Sequence, residues 1–276
     1  MTVRRGGATP VRVQVLEPAR RAARDDVVVT EEPLEIRLAS ARGEARTVAV
    51  TMRTPGADFE LAAGFLRTEA VVGGRSAVRR IVYCLDAGDQ RYNVVTVHLA
   101  GPELPELGGL DRYGSVSSAC GVCGKTSLDA LEVRAAALPA GRPTIEAGVL
   151  HALPDALRHA QRTFSLTGGL HAAGLFTPAG EPLVVREDVG RHNAVDKVVG
   201  WALLKDVAVD SAVLVVSGRA GFEIVQKAVA ARIPVVCAVS APSSLAVDTA
   251  TRFGLTLVGF LRDQRANVYS GADRIR

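Results

Sequence analysis

The stretch AVLVVSGRAGFEIVQKAVAARIPVVCAVSAPSSLAVDTATRFGLTLVGF, residues 212–260, decides the fold. It opens on an apolar run from Ala212 to Val216, breaks at Ser217-Gly218, and passes into residues 222–231, where apolar positions recur at helical spacing. The cycle then repeats: a strand at 235–239 leads into a helix at 243–253, and Gly254 releases a third strand at 255–260. Short apolar strands without polar alternation are covered on both faces, and their alternation with helices implies parallel pairing inside a layered α/β domain.

Working outward, a helix over 192–204 precedes Ala212, a strand at Pro182–Val185 and an apolar patch at 170–176 precede that, and helical stretches at 154–164 and 127–137 come earlier still. The α/β domain is therefore drawn as residues 127–276. Before it, residues 101–124 are rich in Gly, Pro and Ser, so that 111–126 reads as a mobile loop. Residues 25–110 read as a smaller N-terminal α+β domain. Leu34, Ile36 and Leu38, then Val48, Val50 and Met52, alternate with polar residues around the turn at Ser40 to Glu44, the pattern of a hairpin. Asp58 is placed to cap a helix carrying Phe59, Leu61, Ala62, Phe65 and Leu66, with Gly73 and Gly74 stopping it. Val78 to Leu85 and Tyr92 to Leu99 form a second strand pair. Residues 1–24, dense in arginine and broken by Pro10 and Pro18, read as a loose arm.

Composition narrows the class. The chain has 276 residues, 48% hydrophobic and 22% charged, which is globular and not disordered. No apolar run approaches the roughly 18 residues that span a bilayer, and the first residues lack a signal-peptide core. The expectation is a soluble cytoplasmic protein without membrane partners. Four cysteines are too few for a secreted disulfide framework and suit reduced thiols. The charge of +4 weakly favours anionic partners, whereas one Trp, four Tyr and seven Phe are too few for a base-stacking surface, so nucleic acid is not expected.

Three groups of residues carry chemistry. The first is Ser117-Ser118-Ala119-Cys120-Gly121-Val122-Cys123-Gly124-Lys125. Two thiols three apart can meet, and Lys125, close backbone N–H groups and a following helix start all lower a thiol pKa. Such a pair can form a disulfide, hold a metal or carry sulfur as a persulfide. Structural zinc needs two further ligands, and neither Cys84, Cys237 nor the five histidines supply them at the usual spacing. No intrinsic metal is expected. A thioredoxin-like role would want the motif between a first strand and its helix. Cys84 and Cys237 read as packed core thiols.

The second group is the polar run from Arg186 to Lys197. His192 and Asp196 stand four apart, so that Asp196 can orient the imidazole, while Glu187 and Asp188 suit an acid, a base or a helix cap. Zinc nucleobase deaminases pair H-x-E with a later P-C-x-x-C. Here Ala194 replaces the glutamate, the cysteines precede the histidine, and Ala119 replaces the proline, so that chemistry is excluded. The third group is the strand-to-helix junctions, Ser217-Gly218-Arg219 and Ser240-Ala241-Pro242-Ser243, with Phe260-Leu261-Arg262-Asp263-Gln264-Arg265 after the last strand. Ligands settle outside the carboxyl ends of such strands, where N–H groups meet anions. Arg219, Arg262 and Arg265 suit a phosphate, and Asp263 suits a guanine-like edge.

Taken in order, Phe59 to Leu66, Ser118 to Gly124, Glu187 to Ala194, Ser217 to Arg219, Ser240 to Pro242, and Gly254 to Phe260 with Asn267 and Tyr269 resemble the FdhD family of formate dehydrogenase accessory sulfurtransferases, from about residue 25 onward. The resemblance implies a cytidine-deaminase-like layered α/β domain, a homodimer, and an enzyme that takes sulfur from a cysteine desulfurase. It further implies delivery to the molybdenum or tungsten bis(molybdopterin guanine dinucleotide) cofactor before that cofactor enters formate dehydrogenase. Cys120 would carry the persulfide and Cys123 assist. Phe260, Leu261, Arg262, Asp263, Gln264 and Arg265, with Ser217 and Arg219, would bind the cofactor as substrate.

Overall fold

A computed structural model describes residues 6–18, 20–84, 92–105 and 136–276. Its centre is a mixed sheet whose three parallel strands are those that the opening stretch predicts. Strands β9 (Val213–Val216), β10 (Val235–Ala238) and β11 (Thr256–Arg262) are parallel. The antiparallel hairpin β7 (His171–Phe176) and β8 (Pro182–Asp188) extends one edge and β12 (Arg265–Ser270) the other, in the order β12-β11-β10-β9-β7-β8.

Alternation along each strand sorts its side chains to two helix layers. Leu214, Val216, Val236 and Leu257 meet α4 (Arg191–Lys205), α5 (Phe222–Ala231) and α6 (Ser244–Phe253). Val213, Val215, Val235 and Val258 meet Leu150, Leu153 and Leu157 of α2 (Ala147–Ala160) on the opposite face. A short α3 (Arg162–Thr167) follows. The expected α/β class is therefore present.

The second sheet has the order β4-β3-β6-β5, built from β3 (Glu32–Ala39), β4 (Ala45–Arg53), β5 (Val78–Tyr83) and β6 (Val94–Leu99). Leu34, Ile36, Leu38, Val95 and Val97 pack beneath Leu61, Phe65 and Leu66 of α1 (Asp58–Thr68). The other side of α1 lies against α4 at backbone contact. A Cβ added at Gly64 would sit 1.7 Å from the Asp196 carbonyl oxygen, and one added at Gly200 would sit 1.8 Å from that of Glu60. The α+β unit and the α/β unit thus share one helix pair.

Several expectations are corrected. In place of a loose arm, β1 (Ala8–Glu17) and β2 (Arg20–Val29) form an antiparallel hairpin. Half-buried Val11, Val13 and Val15 alternate with exposed Arg12, Gln14 and Leu16, a period of two that the arginines and prolines conceal. Asp58 does not cap α1: its carboxylate is buried under the Arg53 fork at 3.1 and 3.0 Å. The helix also ends before Gly73. Ala70 turns to φ 57°, and the N–H groups of Ala70 and Val71 donate to the carbonyls of Arg67 and Leu66, a Schellman closure without glycine. The final strand continues into a hairpin, because Asp263 and Gln264 both take positive φ, as a two-residue turn between twisted strands requires.

Cys237 lies in β10 with no exposed surface, and burial pushes its thiol up to about 12. A thiolate is the nucleophile. Iodoacetamide at pH 8 is therefore expected to leave Cys237 unmodified in the folded protein and to label it once denaturant unfolds the chain. Native labelling at the rate of an exposed thiol would refute the packing. Among the described residues no helix is long and apolar enough to cross a membrane.

Candidate functional site

The carboxyl ends of β9, β10 and β11 are knitted into one rim by backbone bonds. Ala220 N donates to Ala241 O at 3.2 Å, Ser243 N to Ala220 O at 3.1 Å, and Phe260 N to Ser240 O at 3.1 Å. Gly259 is needed here: a Cβ would lie 2.8 Å from Pro242 and 3.0 Å from the Tyr269 ring. The rim so joins the Ser217–Arg219 turn, the Ser240–Ser243 turn and the entry to the β11–β12 hairpin, which the sequence set apart as three junctions.

The predicted side chains fare differently. Ser217 is tied to β7, its hydroxyl accepting from Ala172 N at 2.9 Å and its N–H donating to Ala172 O at 3.0 Å. Arg219 is exposed, as are Arg262, Asp263, Gln264 and Arg265 on the hairpin tip, so all five are available to a ligand. Leu261 is not. Its side chain is fully buried in the core beneath α2, which leaves only its backbone for binding. Ser243 caps α6 through Ala246 N. Cys120 and Cys123 lie outside the described residues, as does most of the helix expected at 127–137.

The polar run divides between support and site. Asp188 is fully buried; one carboxylate oxygen accepts from Gly190 N at 2.8 Å and Asn193 Nδ2 at 3.0 Å, the other from Thr54 N at 3.2 Å, with Lys197 Nζ 2.7 Å away. Glu187 caps a helix, but it is α3, whose Thr163 and Phe164 N–H groups donate to it at 2.9 and 2.7 Å. Arg186 forks onto Glu60 of α1 at 2.6 and 2.8 Å. Asp196 does not orient His192. It faces α1 and α5, taking Lys227 Nζ at 2.9 Å and the Thr68 hydroxyl at 2.7 Å, since a buried ammonium needs the nearest carboxylate.

His192 instead meets Glu223 at 2.6 Å, so the second residues of α4 and α5 join across the rim. The hydrogen bond with His192 is the chief reason that the Glu223 carboxyl sits below its ordinary value; burial opposes it, and the charges of His192, Lys227 and Arg191 add to it. His171 closes the group from the start of β7. Gly218 lets it approach, because a Cβ there would stand 3.3 Å from His171 Nδ1 and 3.8 Å from Arg191 Cδ. Burial, then Arg191, His192 and Arg219, lower the His171 pKa, with Asp188 opposing. Sequence reading missed His171 and Glu223. The one signal available was an acidic residue in the first turn of a helix at a strand junction.

Residues 29–276 match the family model described as the FdhD/NarQ family. The chain belongs to that family. Among the relatives that carry the name sulfur carrier protein FdhD, that of Mycolicibacterium paratuberculosis is 53% identical, covering 96% of this chain and 97% of its own. That of Streptomyces coelicolor is 55% identical, covering 92% and 90%. A crystal structure described as a candidate formate dehydrogenase accessory protein, from Desulfotalea psychrophila, superposes with a TM-score of 0.76 at 26% identity, over 98% of this chain and 99% of that one. Within the FdhD/NarQ match fall both sheets around α1 and α4, the rim and the His192–Glu223 pair, whereas β1 and nearly all of β2 precede it.

Proposed function

We propose that the protein is a sulfur carrier that serves formate dehydrogenase, acting as a sulfurtransferase in the cytoplasm as a homodimer on a cytidine-deaminase-like scaffold. The observation that carries this reading is the near full-length identity of 53% and 55% to proteins named sulfur carrier protein FdhD. Cys120 and Cys123 are the thiols with the sequence surroundings that favour a thiolate. In the first step the Cys120 thiolate attacks the outer sulfur of a cysteine desulfurase persulfide; a new S–S bond forms, the old one breaks, and the desulfurase thiolate leaves. In the second, the Cys123 thiolate attacks Cys120 sulfur. The two thiols become a disulfide, and the outer sulfur departs as hydrosulfide with the electron pair, in the oxidation state a metal-bound sulfido group requires.

The acceptor is the molybdenum or tungsten bis(molybdopterin guanine dinucleotide) cofactor, held as substrate before insertion into formate dehydrogenase. Arg219, Arg262 and Arg265 suit its phosphates and Asp263 its guanine edge, with Phe260, the Leu261 backbone, Gln264 and Ser217 completing the rim. Cys120→Ala protein is expected to restore no formate dehydrogenase activity in a strain lacking its own copy. Restored activity would overturn the carrier chemistry. Incubation of the native protein with a desulfurase and cysteine is expected to add about 32 Da, one sulfur, to the Cys120 peptide.

A further inference from the structure

At the rim, the guanidinium groups of Arg191 and Arg219 gather with the His171 and His192 imidazoles around the Ser217-Gly218 turn, and Glu223 is the carboxylate that joins them. Asp188 also faces His171, but its oxygens are already taken by Thr54, Gly190, Asn193 and Lys197. Among the described residues His192 Nε2 has only the 2.6 Å pairing with Glu223 Oε2, and two further buried atoms of this group have no hydrogen-bond partner: Arg191 Nε, a donor, and Glu223 Oε1, an acceptor. Buried polar groups are nearly always paired, so two orphans in one charged cluster call for an explanation. The helices that begin here, α4 after Gly190 and α5 after Gly221, have no side-chain cap on their first N–H groups. Their dipoles add to the positive field.

The two orphans specify opposite halves of a ligand. A guanidinium Nε–H must donate, so the ligand offers an oxygen, and charge-assisted bonds favour an anionic one. An ionised carboxylate is acceptor-only, so Glu223 Oε1 asks for a ligand O–H. A fully deprotonated oxyanion meets the first demand and is repelled by the second. Hydrogen phosphate, free or as a terminal monoester, meets both.

We propose that His171, Arg191, His192 and Glu223 form a binding site for a phosphate group that retains one proton, with Arg191 donating to a phosphate oxygen and Glu223 accepting the P–O–H. His192 occupies the far oxygen of Glu223 at 2.6 Å and holds the carboxylate in place. The site discriminates against sulfate, which at neutral pH has charge and shape close to phosphate but no proton to give. It does not depend on the carrier chemistry, because Cys120→Ala protein keeps every residue of it.

The test is calorimetric titration of the full-length protein at pH 7 with inorganic phosphate, sulfate and a nucleoside 5′-monophosphate, at constant ionic strength. Phosphate is expected to bind at least tenfold more tightly than sulfate. Glu223→Gln, whose amide can donate as well as accept, is expected to shrink that preference below threefold, and Arg191→Gln to weaken both anions at least tenfold, each variant retaining the native melting transition. Tighter binding of the nucleotide would identify a phosphate monoester as the occupant, and equal binding free phosphate. Equal affinity for phosphate and sulfate, no binding of either, or a preference that survives Glu223→Gln would overturn the proposal. Phosphate selectivity that persists in Cys120→Ala protein unable to support formate dehydrogenase would separate this site from the sulfur chemistry.

Discussion

Gly64→Ala is expected to destabilise the protein by more than about 3 kcal/mol, beyond the 1–3 kcal/mol usual for an overpacked site, and to leave most of it insoluble. In an exposed helix interior the same change stabilises by about 1 kcal/mol, because alanine loses less backbone freedom on folding. The sign reverses here because the neighbour is backbone. The new carbon would lie 1.7 Å from the Asp196 carbonyl oxygen and 2.6 Å from its carbon, and neither can rotate away. Relief requires α1 and α4 to separate, which stretches the Thr68–Asp196–Lys227 bonds and the Arg186–Glu60 fork that bridge the two units. Gly200→Ala meets Glu60 O at 1.8 Å and should behave alike. Gly148→Ala, with open space around its Cβ position, is the control and should gain up to about 1 kcal/mol. Denaturant midpoints decide the matter: a Gly64→Ala midpoint at or above the native one would refute backbone contact between the helices.

This helix pair marks the boundary of what the sequence made legible. The β9–β11 core announced itself because strands covered on both faces must be apolar throughout, and Leu214 or Val236 signals burial whichever helix covers it. The β3–β4 hairpin was legible because Leu34, Ile36 and Leu38 alternate on one side. Gly64 carried no such signal, since a glycine in a helical pattern reads as a weak helix former until its partner 136 positions away is known. The polar run misled for the same reason. His192 and Asp196 share a helix face, yet each is claimed by α5, one through Glu223 and the other through Lys227. Local spacing ranks candidate partners; buried charge chooses among all that the fold brings near. The rim followed from strand topology alone, whereas the burial of the Leu261 side chain was hidden, because position along a motif does not say which side of the strand faces the core.

Asp188→Ala carries the second large expectation, a loss of about 3–5 kcal/mol, the range for removing one partner of a buried ion pair. Lys197 is 2% exposed and would keep only the Thr54 and Glu187 carbonyls at 3.0 and 3.2 Å, without a countercharge. Two N–H groups, of Thr54 and Gly190, and the Asn193 amide would lose an acceptor together. Asp188→Asn keeps the shape but loses the charge and should fall between native and alanine. Pairing Asp188→Ala with Lys197→Met removes the stranded ammonium and is expected to recover part of the loss, because an apolar replacement of both partners avoids burying either charge. The double-mutant cycle tests this directly: additive effects would mean that the 2.7 Å contact contributes nothing. Function should follow stability at a distance. Asp188 holds Gly190, the residue from which α4 starts, so its loss frees the turn that presents Arg191 and His192. Phosphate affinity in Asp188→Ala should therefore fall even at temperatures where the variant is fully folded, and an affinity equal to the native one would show that the turn holds its shape without the carboxylate.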